Sequence, residues 1–242
     1  MSQTVRLLHA SDLHVGESTA RDSGVTHLVD AALAHAVDAL LLVGDVFDHN
    51  RVPTDVGQAL ADELARLTVP VVVLPGNHDC LVPHSIWRRV EVPTNVTVIM
   101  TDDGERVDLA ALDVELWGRP HPDFDDLRPL HGLPPRGTRT WQVALAHGHV
   151  VLGPDDLRRA YQIHPDEIAG SARDYIALGH WDVPRDMSAG GVTAAYSGSA
   201  SRNGVCALVT LAMIDGARTV TVEQLRLGNT GGATIEEGNH VR

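Results

Sequence analysis

Leu40-Leu41-Leu42-Val43-Gly44-Asp45-Val46-Phe47-Asp48 runs four aliphatic residues into a glycine and then into two carboxylates. A short continuous apolar run closed by a turn residue has the character of a strand buried on both faces. Glycine at its end lets the backbone turn sharply, so Asp45 is expected at a sheet edge. The same pattern recurs along the chain. Val5 to His9 leads into Asp12-Leu13-His14, and Val71 to Leu74 into Gly76-Asn77-His78-Asp79. Val143 to Ala146 leads into His147-Gly148-His149, and Tyr175 to Leu178 into Gly179-His180-Trp181-Asp182. Strands ending at one edge would gather these Asp, His and Asn side chains in one place.

Between the first runs, Val25 to Val37 carries apolar residues at helical spacing. Thr54 is a plausible N-cap for a helix through Leu67, with Leu60, Leu64 and Leu67 on one face. A β-α-β-α-β order implies parallel strands with right-handed crossovers and ligand-bearing loops at the strands' carboxyl ends. Val96 to Met100, Arg106 to Leu109 and Val114 to Trp117 then suggest an antiparallel meander or the opposite half of a sandwich. Arg119 to Arg139, rich in Pro, Gly and Asp, is expected on the surface, with a helical turn near Asp125 to Leu130. Thr193 to Tyr196, Val205 to Leu211 and Thr219 to Leu225 alternate as late strands of a second sheet. Residues 1–227 are expected to form one catalytic domain and 228–242, polar and glycine-rich, a flexible tail.

Bulk properties narrow the partners. No apolar stretch approaches the roughly 20 residues that span a bilayer, and no cleavable leader precedes the first strand. Two cysteines, Cys80 and Cys206, are too few for a disulfide framework, so a cytoplasmic setting is expected. All 19 basic residues are arginine, against 32 acidic ones. Two divalent cations would bring the net charge of −13 only to −9. Long-range attraction to a nucleic-acid backbone is therefore weak unless arginines gather at the cleft, which argues against long DNA without excluding a nuclease.

Carboxylate, imidazole and amide oxygen suit a hydrolytic centre with Mn, Fe or Zn and need no thiolate. Asp12 and His14, two apart in extended geometry, face the same way. Read alone, Asp12 could be only a helix cap. Asp48 is a ligand, a hydrogen-bond acceptor behind one, or a solvated charge; a place behind a ligand or on the substrate side is favoured over ligation. Asn77 can bind metal through its amide oxygen while its NH₂ donates elsewhere. Asp79 can hydrogen-bond the neighbouring imidazole and fix its tautomer. His149 either joins His147 at the site or merely lines the cleft. Arg51 and Arg202 either hold a phosphate or make surface ion pairs.

These clusters resemble the calcineurin-like metallophosphoesterase superfamily, with its D-x-H, G-D-x-x-D, G-N-H-D/E, H and G-H-x-H motifs in that order. The resemblance covers about residues 5 to 211. It is closest to the SbcD-type DNA-repair exonuclease branch, through Leu8-His9-Ala10-Ser11-Asp12-Leu13-His14 and Tyr196-Ser197-Gly198-Ser199. It implies a four-layer α/β/β/α sandwich with two mixed sheets and two divalent metal ions, Mn or Fe favoured. Asp45 would bridge them; Asp12 and His14 would hold the first, and Asn77, His147 and His180 the second. His78, oriented by Asp79, would act near the leaving group. The motif expects histidine where this chain has Asp182, an oxygen ligand that shifts preference further toward Mn or Fe.

The expected function is a dimetal phosphodiesterase on a small phosphodiester or phosphonate substrate. An SbcD-like nuclease is the alternative, and a non-catalytic metal-bound scaffold a third reading that leaves His78 without a role.

Overall fold

Burial explains the order of elements. The computed structural model describes residues 4–16 and 24–228, so the expected tail beyond Gly228 lies outside the described residues. The first half comprises β1 (Val5–Ala10), α1 (Val25–Ala34), β2 (Ala39–Val43), α2 (Thr54–Leu64), β3 (Val71–Leu74), β4 (Val96–Val98), β5 (Glu105–Leu109) and β6 (Val114–Gly118). The second half comprises β7 (Trp141–His147), β8 (His149–Val150), β9 (Gln162–Ile163), α3 (Pro165–Gly170), β10 (Tyr175–Gly179), β11 (Arg185–Asp186), β12 (Thr193–Tyr196), β13 (Val205–Ile214) and β14 (Ala217–Arg226).

One six-stranded sheet has the order β14-β13-β1-β2-β3-β4, the other β11-β12-β10-β7-β6-β5. Strands β1 to β4 run parallel, as do β6, β7, β10 and β12, with antiparallel strands at the margins, so both sheets are mixed. Leu7, Leu41 and Val72 of one sheet meet Val143, Leu145 and Tyr175 of the other in a central apolar layer. Leu8, Leu40 and Val73 point the opposite way, onto Leu28 of α1 and Leu60 and Leu64 of α2. Ala144, Ile176 and Leu178 lie outside the second sheet under Ile163 and Ile168. The layers are therefore α/β/β/α, the last thin because α3 has six residues.

Four expectations are corrected. Helix α1 stops at Ala34 rather than Val37, because Ala36 turns left-handed (φ 45°) and Val37 N donates to Ala32 O, a helix-ending bond. Residues Asp125 to Leu130 form bends and a turn, with no helix. Strands β13 and β14 join the first sheet, not the second: β13 pairs antiparallel with β1 and covers its free edge. Alternation alone does not say which sheet a strand will join. Helix α2 begins after Pro53 with Thr54 already helical, and ends at Leu64. Among the described residues no helix is long and apolar enough to cross a membrane.

Candidate metal centre

All seven expected metal ligands come from the carboxyl ends of parallel strands. Asp12 and His14 follow β1, Asp45 follows β2, Asn77 follows β3, His147 ends β7, and His180 and Asp182 follow β10. The turns are strained. Asp12, His14, Asp45 and His180 have φ of 53°, 46°, 50° and 107°, where residues with a side chain are rarely found. Such conformations cost roughly 1–3 kcal/mol each. Burying one Leu or Val of the strands contributes roughly 1.5–3 kcal/mol, so rigid strands can hold strained turns. Two glycines make room: a Cβ on Gly44 would fall 2.0 Å from His147 Nδ1, and one on Gly76 2.3 Å from Asp45 Oδ1.

Among the described residues three sets of donor atoms cluster within 4.8 Å: Asp45, His147 and His180; Asp12, His14 and Asp182; and His14, Asp45 and His78. Asp45 and His14 each recur in two sets; of the two, Asp45 joins the His147–His180 set to His14, which suits a bridging position. His147, fully buried, has Nδ1 3.0 Å from Val43 O, so Nδ1–H donates there. Its Nε2 then faces Asp45 Oδ2 at 3.2 Å and Asn77 Oδ1 at 3.2 Å. Three lone-pair-bearing atoms converge there, and only a proton or a metal cation reconciles them. This donor set fits a divalent metal. Burial alone would lower the His147 pKa, but the Asp45 carboxylate outweighs it and raises it to about 9. Burial pushes Asp45 up, yet its contacts with His147 and then His78 hold it below the usual carboxylate range. Burial lowers His180 to about 3, keeping its ring neutral, the form that ligates metal.

On the other side, Asp12 Oδ2 accepts from His180 N at 2.9 Å. Asp12 is 2% exposed, and burial raises its pKa. His14 Nδ1 lies 3.3 Å from Asp48 Oδ1 but out of hydrogen-bond alignment. Asp182 Oδ2 pairs with Arg202 Nη1 at 2.8 Å. Of the two open readings of Arg202, the ion pair is formed; the pair joins a residue beside the site, not a remote one. Arg51 is exposed, and no hydrogen bond or ion pair engages its side chain among the described residues. Asp48 accepts through its backbone oxygen from His78 Nδ1 at 2.8 Å. That leaves His78 Nε2 free, 4.0 Å from Asp45 Oδ2.

One role is corrected and one open reading is narrowed. Asp79 does not orient the His78 imidazole. It is fully buried, and its oxygens accept from Gly76 N (2.7 Å), Val46 N (3.1 Å), Phe47 N (3.2 Å) and Trp87 Nε1 (3.1 Å). The turn after Asn77 sends it inward, where it ties the β2 and β3 loops together. Burial, then the charge of Asp45, raises its pKa to about 6. His149 is not brought into a ligand cluster: its Nδ1 accepts from Trp181 Nε1 (3.1 Å) and its Nε2 donates to Asp156 Oδ1 (3.0 Å). With both nitrogens engaged, it lines the cleft.

Sequence reasoning passed over three supports. Buried His121 holds the His147 carbonyl through Nε2 at 2.9 Å. It follows the end of β6, so the strand-then-histidine rule could have found it. Ser199 and Ser201 donate to Asp12 O at 2.7 and 3.2 Å, and Ser199 lies in a quoted motif. Trp87 carried no signal, being eight residues from Asp79 without pattern.

Comparison with known proteins bears on this geometry. The Calcineurin-like phosphoesterase family model matches residues 5–190. The chain is 24% identical to the SbcD component of nuclease SbcCD from Bacillus subtilis (strain 168), across 81% of this chain and 61% of that protein. It is 31% identical to the Escherichia coli (strain K12) counterpart, across 39% of this chain and 26% of that protein. The chain thus spans only part of the length of these relatives. Among solved structures, TT1561 of Thermus thermophilus superposes with a TM-score of 0.60 at 12% identity, covering 93% of this chain and all of that one. Purple acid phosphatase PPD1 from yellow lupin gives 0.55 at 12% identity, covering 97% of this chain and 53% of that one. The chain belongs to the calcineurin-like phosphoesterase family, hydrolases of phosphoesters that use a dimetal centre.

Proposed function

We propose that this chain hydrolyses small phosphodiesters at a dimetal centre of Asp12, His14, Asp45, Asn77, His147, His180 and Asp182. The observation that carries the proposal is the convergence of His147 Nε2, Asp45 Oδ2 and Asn77 Oδ1 on one point, where a proton on His147 joins them without metal and a divalent cation would take its place. Two bound cations would supply Lewis-acid charge to the phosphoryl oxygens and lower the pKa of water. The all-nitrogen-and-oxygen donor set suits Mn or Fe, and accommodates Zn. His78, its Nδ1–H held by the Asp48 carbonyl, presents Nε2 to the cleft, where the doubly protonated ring can hand a proton to the leaving oxygen. Arg202 returns the positive charge that Asp182 removes, and its exposed head is within reach of a bound phosphate's oxygens. The free, buried Cys80 and Cys206 fit a reducing cytoplasm.

Charge favours a small substrate. A tracked duplex needs several phosphate contacts, whereas here one arginine beside the site is tied to Asp182, on a chain of −13. The likeness to the SbcD component of nuclease SbcCD across 81% of the chain favours the second reading, a nuclease. Protein reconstituted with Mn²⁺ should be assayed on bis-p-nitrophenyl phosphate, cyclic nucleotides, monoesters and linear duplex DNA at two salt concentrations. Small diesters should turn over with nearly salt-independent kcat/KM, and duplex DNA should be cut poorly. Efficient, salt-sensitive duplex degradation by this chain alone would promote the nuclease reading.

A further inference from the structure

At the end of the second sheet opposite the metal centre, Arg136, Arg173 and Arg218 line a cavity of about 410 Å³ with a single carboxylate, Asp174. On a chain of −13 this gathering of positive charge is unexpected. Asp174 is shared: Oδ2 lies 2.7 Å from Arg136 Nη2 and Oδ1 2.9 Å from Arg218 Nε. Arg136 is further occupied by the carbonyl oxygens of Ala172 and Thr140. Arg218 meets Asp174 through Nε and its side chain is 47% exposed, which leaves the head open to another acceptor.

Arg173 is the anomaly. It is 4% exposed, yet no carboxylate lies within ion-pair distance of it among the described residues. Its guanidinium donates to the carbonyl oxygens of Ser171 and Pro134. Glu115, the carboxylate that acts on it most strongly, is engaged by Arg106 at 3.5 Å. A guanidinium taken out of water without a counter-ion is costly, and an anion in the cavity would relieve that cost. Burial accordingly lowers its pKa.

The shape suits more than a bare ion. A second cavity of about 460 Å³ shares Thr193 and Val220 with the first and continues past Ala195 and Val222 to Gln224. One end of the groove is cationic and the other mixes apolar and uncharged polar side chains with Arg185 and Asp186. Asp174 stands six residues before His180 along β10, which at roughly 3.3 Å per residue separates the arginine-lined end of the groove from the metal centre by about 20 Å. A small substrate does not bridge that distance.

We propose that this groove is a second ligand site, which holds the phosphate dianion of a phosphorylated small molecule on Arg173 and Arg218 and its uncharged remainder against Val220 and Val222. Forked guanidinium donors match paired phosphate oxygens, and three arginines against Asp174 leave a formal charge of +2 that suits a dianion. The site does not depend on the chemistry assigned to the metal centre.

Isothermal titration of the metal-stripped chain in chelator, first with inorganic phosphate and then with phenyl phosphate, tests this away from metal-bound phosphate. Both should bind one per chain, phenyl phosphate about tenfold tighter. Arg218→Gln, on an exposed strand position, should weaken both at least tenfold with an unchanged circular dichroism spectrum. Arg173→Met should do the same where it folds, and Arg218→Gln decides the matter where it does not. Absence of binding at millimolar ligand, or equal affinity in Arg218→Gln, overturns the site and leaves the arginines as a structural clamp. Phosphate binding with no gain for phenyl phosphate overturns the extension into the second cavity.

Discussion

The two sides of the metal centre are built differently. On one, His147 and Asp45 are 0% and 3% exposed, and His147 is locked by a backbone carbonyl of the neighbouring sheet. On the other, Asp12 and His14 are 3% and 11% exposed, but Asp48 and Asp182 beside them are 48% and 37% exposed, and Asp182 is held by the exposed head of Arg202. The first side is set by strands packed on both faces. The second is set by loops and by charge. A dry, strand-built side should tolerate no change in charge, whereas a loop-built side should be open to retuning by a single substitution, and Asp182 is the position that tests it.

The largest effect expected is at the junction. Asp45→Ala removes the carboxylate common to both sides and leaves His147, His180 and Asn77 without an anionic partner for a cation. Loss of one or both metals and of nearly all turnover is expected, read by elemental analysis beside a diesterase assay. Two metals per chain with a normal rate would break the assignment of Asp45 as a bridge.

Next comes His78, which belongs to neither side's dry interior. If Nε2 supplies a proton, His78→Ala should slow turnover by about 10²–10⁴-fold with both metals retained. The loss should be larger for alkyl esters than for p-nitrophenyl esters, whose leaving group needs little protonation. An equal loss across leaving groups would mean that His78 only positions substrate.

The same contrast explains what was legible in the sequence. β2 and its Gly44-Asp45 turn were readable because a strand buried on both faces is apolar without interruption, and a polar residue can appear only where it ends. β13 was readable as a strand but not as a neighbour of β1, because pairing partners leave no mark on a sequence buried on both faces. Asp79 misled for a related reason. Adjacency to His78 suggested a contact, but in a tight turn adjacent side chains diverge, and Asp79 instead meets Trp87 and the amides of Val46 and Phe47. The Asp182–Arg202 pair spans 20 residues of loop and strand, where charge complementarity has no period to betray it.

That pair gives the third effect, smaller because it touches one side alone. Asp182→Ala should weaken metal binding about 10–100-fold at the Asp12–His14 side only, by analogy with the loss of groups that support metal ligands. Asp182→His should recover affinity and favour metals that prefer nitrogen. Arg202→Gln frees Asp182 and should tighten the cation there while raising KM for diesters. Calorimetric titration with Mn²⁺ separates the two sides by stoichiometry. Equal weakening of both sites by Asp182→Ala would show that the sides are not independent.

The smallest effect lies in the dry layer beneath the centre. His9, buried between the sheets, has Nδ1 2.8 Å from the Tyr175 hydroxyl. Burial lowers its pKa from 6.5 to about 3. The folded chain therefore keeps the ring neutral while the unfolded chain takes up a proton near pH 6.5. Stability from this group is full above pH 6.5 and is lost as pH falls from there toward 3. The slope is at most about 1.4 kcal/mol per pH unit. Replacing both partners, His9→Leu with Tyr175→Phe, removes the titration without leaving a lone polar group. Such paired apolar replacements are often nearly neutral, so at pH 7.5 the variant should lie within about 1 kcal/mol of the parent. At pH 5.5 the gap should move in the variant's favour by about 1 kcal/mol. Urea denaturation of the metal-free proteins at the two pH values measures it, free of metal release. Identical pH dependence in parent and variant would mean that His9 is protonated in the folded chain, and that this layer is wetter than its burial implies.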